Sequence, residues 1–193
     1  MTEVLMMNSH QITTYIEDIF ESLNACNSTY GNSKLYLDKN NFCKDFEDIV
    51  KGADVWGAID KETRRLVGYA ICRNNDDVTH LSAVKVHPDY LKNEVNAALA
   101  FVICQYYLND LRQRYVCDGE RNIRHETGYQ HYLVSNLGFR YAYCNLHVAY
   151  KPVIGLAVII LYPIRNFIKK IVRYNNKIFD VWCVLKQEQY KRN

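Results

Sequence analysis

The sequence predicts an α/β domain over residues 1–150, with a mixed sheet flanked by helices, and a basic helical extension over residues 151–193. Three observations carry this prediction. The hydrophobic period switches repeatedly between the helical 3.6 and the strand value of 2. A strand that feeds a long helix and returns to a strand is a parallel crossover, and here it stands beside antiparallel hairpins. The composition shifts after Pro152 to an apolar run followed by basic, amphipathic segments.

Taken in chain order, His10 to Asn24 places Ile12, Tyr15, Ile16, Ile19, Phe20 and Leu23 at helical spacing with acids between them. A second helix covers Lys39 to Lys51, where Phe42, Phe46, Ile49 and Val50 form the apolar face and Gly52 stops it. Val55 to Asp60 and Leu66 to Arg73 are short β-rich runs joined by the connector KETRR, which reads as a hairpin. Val78 to His87 is the next strand and ends at Pro88, which cannot donate a ladder hydrogen bond. Asn93 to Leu108 reads as one unbroken helix, Tyr115 to Asp118 as a short strand, and His125 to Leu137 as a helix stopped by Gly138. Phe139 to Tyr150 is rich in β-formers and is expected as one bent strand or a hairpin. Beyond it, Val153 to Ile164 is nearly all apolar. At 12 residues it falls short of the roughly 18 to 20 that cross a bilayer. After Pro163, Ile164, Phe167, Ile168 and Ile171 share a face opposite Arg165, Lys169, Lys170 and Arg173, and a last helix spans Ile178 to Tyr190.

Composition narrows the function classes. With 49% hydrophobic residues, 8 Gly and 3 Pro in 193 residues, the chain is neither disordered nor collagen-like. A net charge of +3 is too small to argue for a nucleic-acid partner, and none is expected. That average hides two opposed parts. Residues 151–193 carry nine Lys and Arg against two acids, whereas residues 1–150 carry 15 against 19. The seven cysteines are odd in number, form no CxxC pair and lie partly inside apolar runs, which fits free thiols in a reducing cytosol. The expected location is cytoplasmic, with peripheral attachment at the inner face of the membrane through residues 153–173. No metal site, P-loop or Ser-His-Asp arrangement is visible.

The element order, the run V84-K-V-H-P-D-Y90 before a long helix, and N136-L-G-F-R140 together resemble the GNAT acyltransferase superfamily over about residues 50–150. The resemblance implies the acyl-CoA N-acyltransferase fold. It also implies acetyl-CoA or another acyl-CoA as donor, no metal, and backbone groups near Val84, Lys85 and Val86 pairing with the pantetheine arm. In that family a glycine-rich loop cradles the CoA pyrophosphate at a helix N-terminus. Here the loop reads L91-K-N-E-V-N96, with Glu94 and Asn96 in the glycine positions, so Lys92, Asn93 and Asn96 with the helix amides become the expected contacts. A carboxylate facing a phosphate is repelled by roughly 1 kcal/mol at 4 Å even in water. Where the family often has an acidic tyrosine this chain has Val134, and Thr127 replaces the usual Asn.

The densest polar run, D118-G-E-R-N-I-R-H-E-T127, follows the strand after the crossover, where ligands of open α/β sheets tend to bind. His125 is the expected base with Glu120 or Glu126 orienting it, and Arg121 and Arg124 are expected to hold a phosphate or carboxylate. The bland alternative is a turn followed by an ordinarily capped helix start. His87 is a second candidate near the acceptor, while Tyr129 and Tyr132 are candidate acids. His80 and Cys117 carry less weight: a histidine there is more often plain surface or core, and a cysteine in an apolar strand more often packs.

The resulting expectation is an acyltransferase acting on an amine or hydroxyl of a small molecule or sugar. Two alternatives stand beside it. One is a CoA-independent transferase using aminoacyl-tRNA, similar to the Fem peptidoglycan-bridge enzymes, which also lack the glycine-rich loop. The other is a non-catalytic binding module whose C-terminal helices dock on a membrane or partner, or form a homodimer interface. A looser similarity to GNAT-like proteins of bacterial surface-polysaccharide clusters, through H-E-T, G-F-R-x-A-Y-C and L-Y-P-I-R, suggests a sugar or lipid-linked sugar acceptor.

Overall fold

A five-stranded mixed sheet organises the N-terminal part of the chain in a computed structural model that describes residues 1–30, 35–119, 128–142, 146–171 and 176–192. Contacts divide the chain into two units, Met1–Glu120 and Arg121–Asn193.

In the first unit the strands lie in sequence order: β1 (Thr2–Met7), β2 (Asp54–Asp60), β3 (Leu66–Asn75), β4 (Val78–Val86) and β5 (Tyr115–Cys117). The first four pair antiparallel, and β5 joins β4 parallel. The hairpins and the parallel return appear as the sequence predicts. β1 is an addition, since residues 2–7 showed no clear alternation and gain their extended state by pairing with β2 from Thr2↔Asp60 to Met7↔Val55.

The first predicted helix divides into α1 (Ser9–Thr14) and α2 (Ile16–Tyr30). Asn8 opens α1 with a capping box, its side chain accepting from Gln11 N–H while Gln11 reaches back to the Asn8 amide. α3 (Lys39–Val50) is capped by Asp38. Both α2 and α3 cover one sheet face, where Ile19, Phe42 and Phe46 pack with Val55, Leu66, Tyr69 and Ile71. Asp18 fixes α2 to the start of β3 by accepting from the Leu66 amide at 2.9 Å and from the Arg65 guanidinium. The opposite face holds α4 (Val95–Cys104), whose Val95, Leu99 and Ile103 pack on Trp56, Ala70, Leu81 and Val86. At Gly68 a side chain would meet Val86 at 2.9 Å and Val95 at 3.2 Å, so glycine permits the close approach of α4 to the sheet.

The expected helix 93–108 starts two residues later, at Val95, and continues without a break into a π-turn after Cys104. A 3₁₀ turn at Pro88–Asn93 precedes Glu94 in the left-handed region, α4 follows, and a π-turn covers Gln105–Asp110. The π-turn tucks Tyr107, fully buried, into the core beneath β2.

In the second unit α5 (Gly128–Leu137) ends at Gly138, with φ +73°. The β-rich run 139–150 is not a strand at its described residues, 139–142 and 146–150. Its β-formers find no ladder partner there, and propensity alone does not make a strand. α6 (Pro152–Leu161), a 3₁₀ turn at Tyr162–Ile164 and α7 (Arg165–Ile171) run on continuously, and α8 (Asn176–Arg192) packs against them through Val158, Ile168 and Leu185. The 12-residue apolar run thus lies inside a longer helical stretch. By length and composition alone, Pro152–Ile171 is long and apolar enough to cross a membrane.

Candidate active site

The site begins where the sheet forks. β4 pairs with β3 along its length, from Asn75↔Val78 to Gly68↔Val86. It meets β5 at only three positions, Val78↔Tyr115, Thr79↔Val116 and His80↔Cys117. From Leu81 to Val86 the β5 side of β4 has no strand partner among the described residues. Two local causes are visible. The β3–β4 register slips between Ile71 and Cys72, leaving Ser82 as an extra residue that bends β4. β5 gives way to Asp118 and to Gly119 at φ +77°, which leaves the extended region. Unpaired ladder groups along Leu81–Val86 form a template for an extended ligand with amides of its own.

Val84 and Val86 belong to the layer facing α4, while Lys85 turns to the other face and donates from Nζ to Asn27 Oδ1 at 3.1 Å. The side chain of Lys85 is thus engaged with α2, leaving its backbone as the part able to meet a ligand along the strand. Burial pushes the Cys26 thiol up, against the opposing pull of the Lys85 charge.

At the far end of β4 the chain turns into the helix that faces the fork. His87 Nδ1 accepts weakly from Asp89 N–H at 3.4 Å, and its ring stands edge-on to Tyr90. Lys92 and Asn93 are exposed on the 3₁₀ turn, and Asn96 is half-buried in the first turn of α4. No side chain caps α4, so the Val95, Asn96 and Ala97 amides have no intrahelical acceptor. The expected phosphate-contacting residues therefore converge on one helix start. Glu94, at φ 57° and ψ 26°, adopts there the conformation glycine would adopt without strain.

At the fork itself, Cys117 Sγ lies 3.3 Å from His80 Nδ1, and both side chains are half-buried. His80 lines an open depression of about 600 Å³ together with Arg73, Asn75, Ser82 and Asp118. Arg73 is held by donating to the Ile49 carbonyl at the end of α3. Beneath the fork a polar chain ties the strands together. Thr79 Oγ1 donates to Asn74 Oδ1, Asn74 Nδ2 to Asp54 Oδ2, and the Tyr107 hydroxyl to the same Asp54 oxygen at 2.6 Å. Burial, then the bond to Asp54, raises the Tyr107 hydroxyl far above its ordinary range, so it stays a donor. Cys72 beside it is pushed up to about 12, first by burial and then by the Asp54 charge.

The predicted residues are thus only partly assembled. Val84, Lys85, Val86, His87, Lys92, Asn93 and Asn96 line one continuous path from β4 to α4. Tyr129 and Tyr132 stand on α5 in the second unit with their rings stacked, centroids 6.2 Å apart. Glu120, Arg121, Arg124, His125 and Glu126 lie outside the described residues. The structure pairs Cys117 with His80, 37 positions earlier in the chain.

Comparison with known proteins places the fold. No family model matches the chain, and no curated protein matches it. Among solved structures, a GNAT family acetyltransferase from Staphylococcus aureus Mu50 is 17% identical, with a TM-score of 0.53 over 72% of this chain and 85% of that one. AAC(6')-Iy, solved with the bisubstrate analogue CoA-S-monomethyl-acetylneamine, is 14% identical, with a TM-score of 0.54 over 78% and 99% of the two chains. The ribosomal-protein-alanine N-acetyltransferase of Brucella melitensis is 11% identical, with a TM-score of 0.53 over 78% and 100%. The chain has the acyl-CoA N-acyltransferase fold of the GNAT acetyltransferases, as the resemblance in residues 50–150 implied.

Proposed function

We propose that the chain is a divergent GNAT acyltransferase that moves an acyl group from acyl-CoA to an amine or hydroxyl of a small molecule or sugar. The observation that carries this reading is the fork between β4 and β5, which leaves the Leu81–Val86 edge of β4 without a strand partner among the described residues. A pantetheine arm carries two amides on a flexible extended chain and can pair with such an edge as a strand would. The pyrophosphate would then meet the free amides at the start of α4, with Lys92, Asn93 and Asn96 around it. Backbone donors tolerate the loss of the glycine pattern, although the Glu94 carboxylate opposes a phosphate. The fold neighbour bound to a CoA-linked acetylneamine supports an amine-bearing acceptor of that general kind. His87 and His80 are the described histidines near the β4 edge able to take a proton from the attacking group.

Calorimetric titration with acetyl-CoA of the wild type and of Glu94→Gly tests the reading. The wild type is expected to bind, and the variant about fivefold more tightly through loss of one repulsion worth roughly 1 kcal/mol. No heat and no thermal shift with either protein would overturn it.

A second reading concerns location. Val153, Leu156, Ile160, Ile164 and Phe167 recur at three- and four-residue steps along α6 and α7, and all are exposed. Lys151, Arg165, Lys169 and Lys170 accompany them. Val158 and Ile168, on the other side of the same run, are buried against α8. A helix committed to the protein on one side and apolar on the other suits the surface of an anionic membrane better than a crossing of it. We infer peripheral attachment at the inner face of the membrane. Flotation with vesicles containing phosphatidylglycerol is the test, and protein that stays at the bottom of the gradient at low salt rules it out.

A further inference from the structure

The geometry points to Cys117 as a covalent acyl carrier, with His80 as its base, in a two-step transfer that rests on the acyl-CoA reading above. The argument begins with placement. His80 and Cys117 are the last paired residues before the sheet forks, so they share one face of the sheet on adjacent parallel strands. Their contact, Sγ to Nδ1 at 3.3 Å, is the distance at which an imidazole takes a proton from a thiol. The pair stands where the unpaired edge of β4 begins, and its His80 lines an open depression, so an acyl group carried along that edge arrives beside the pair.

Other thiols of the same unit make the contrast. Cys72 is fully buried and Cys104 is pushed up to about 11 by burial, so both remain protonated packing groups. Cys117 is only half-buried and has beside it an imidazole that lines a depression. A purely packing cysteine needs neither.

The two steps balance without any further reagent. In the first, His80 Nδ1 takes the Cys117 thiol proton and the sulfur attacks the acyl carbonyl. The bond from that carbonyl to the CoA sulfur breaks, His80 gives the proton to the departing sulfur, and CoA leaves as the free thiol with His80 neutral again. In the second, His80 accepts the proton of the acceptor amine or hydroxyl, which attacks the Cys117 thioester. The carbon–sulfur bond to Cys117 breaks, and His80 returns the proton to the Cys117 sulfur. The sum is acyl-CoA plus acceptor giving acylated acceptor plus free CoA.

The test is intact-mass measurement of the full chain after incubation with acetyl-CoA and no acceptor, beside calorimetry on the same samples. One acetyl group is expected, mapped to Cys117 and removed by hydroxylamine. Cys117→Ser, which keeps the volume, is expected to lose the hydroxylamine-sensitive acetyl while still binding acetyl-CoA. His80→Gln is expected to slow its appearance about a hundredfold. Protein that binds acetyl-CoA yet never carries an acetyl on Cys117 overturns the carrier and leaves the acyl-CoA reading standing. Equal acetylation of Cys117 in His80→Gln overturns the role of His80. Absence of acetyl-CoA binding overturns the reading itself, and the carrier falls with it.

Discussion

α4 and α6 are both ten-residue helices and both are strongly apolar, VNAALAFVIC against PVIGLAVIIL, yet they end in opposite environments. α4 buries Val95, Leu99, Ala100 and Ile103 against the sheet. α6 buries only Val158, while Val153 is 81% and Ile160 62% exposed. The difference lies in what each meets. α4 faces a strand layer containing Trp56, Ala70, Leu81 and Val86, which offers a broad apolar surface to pack on. α6 meets a few side chains of α7 and α8 and has apolar residues left over. Hydropathy identifies a helix that needs an apolar environment. It does not say whether the protein itself supplies that environment.

The largest effect expected from this contrast is on stability. Leu99→Ala leaves a cavity in a fully buried layer and should cost about 2 to 5 kcal/mol in urea unfolding. The matching change on the other helix, Leu156→Ala, should cost no more than about 0.5 kcal/mol. Comparable losses at both positions would mean that the face of α6 is covered in solution, and the contrast would collapse.

Next in size is lipid attachment. Leu156→Ser combined with Ile160→Ser should remove flotation with anionic vesicles and leave the melting temperature in place. Membrane association scales with the apolar area inserted, and these two residues stand at the middle of the stripe. Flotation that survives the double change would move the contact to another surface.

The smallest expected effect lies in the α6–α8 package itself. Glu188 is buried and accepts from Arg192 Nε at 2.7 Å, with Lys191 nearby at 3.7 Å. Those partners, Arg192 first, hold its carboxyl below the ordinary glutamate range. A lowered folded-state value means that stability is present above the ordinary glutamate range and is lost as pH falls through the folded value. Melting temperature should therefore drop on acidification below that range. Glu188→Gln should flatten the dependence at a cost of about 1 kcal/mol near neutral pH. An unchanged acid profile in the variant would assign the acid sensitivity to other carboxylates.

Much of the fold was legible because its signals are local. The α3 face repeats at helical spacing, Gly52 and Gly138 stop helices with left-handed backbones, and Pro88 ends a strand whose next residues cannot continue the ladder. β1 went unpredicted, and the run 139–150 is not a strand at its described residues, for one shared reason. A strand is defined by its partner, and residues 2–7 have β2 while the described residues of 139–150 have no ladder. The turn that carries Lys92 and Asn93 was legible from Pro88, which ends β4. The left-handed backbone of Glu94, which delays the helix start to Val95, was not.

By itself the sequence determined the kind and order of most elements, the helix stops and the charge division, because each depends on residues a few positions apart. Tertiary structure alone decided that β5 pairs with β4 at only three positions, that His80 therefore meets Cys117, and that the apolar side of α6 stays exposed. Each of these depends on register or packing between segments distant along the chain. No local pattern of residues encodes where two such segments stop touching.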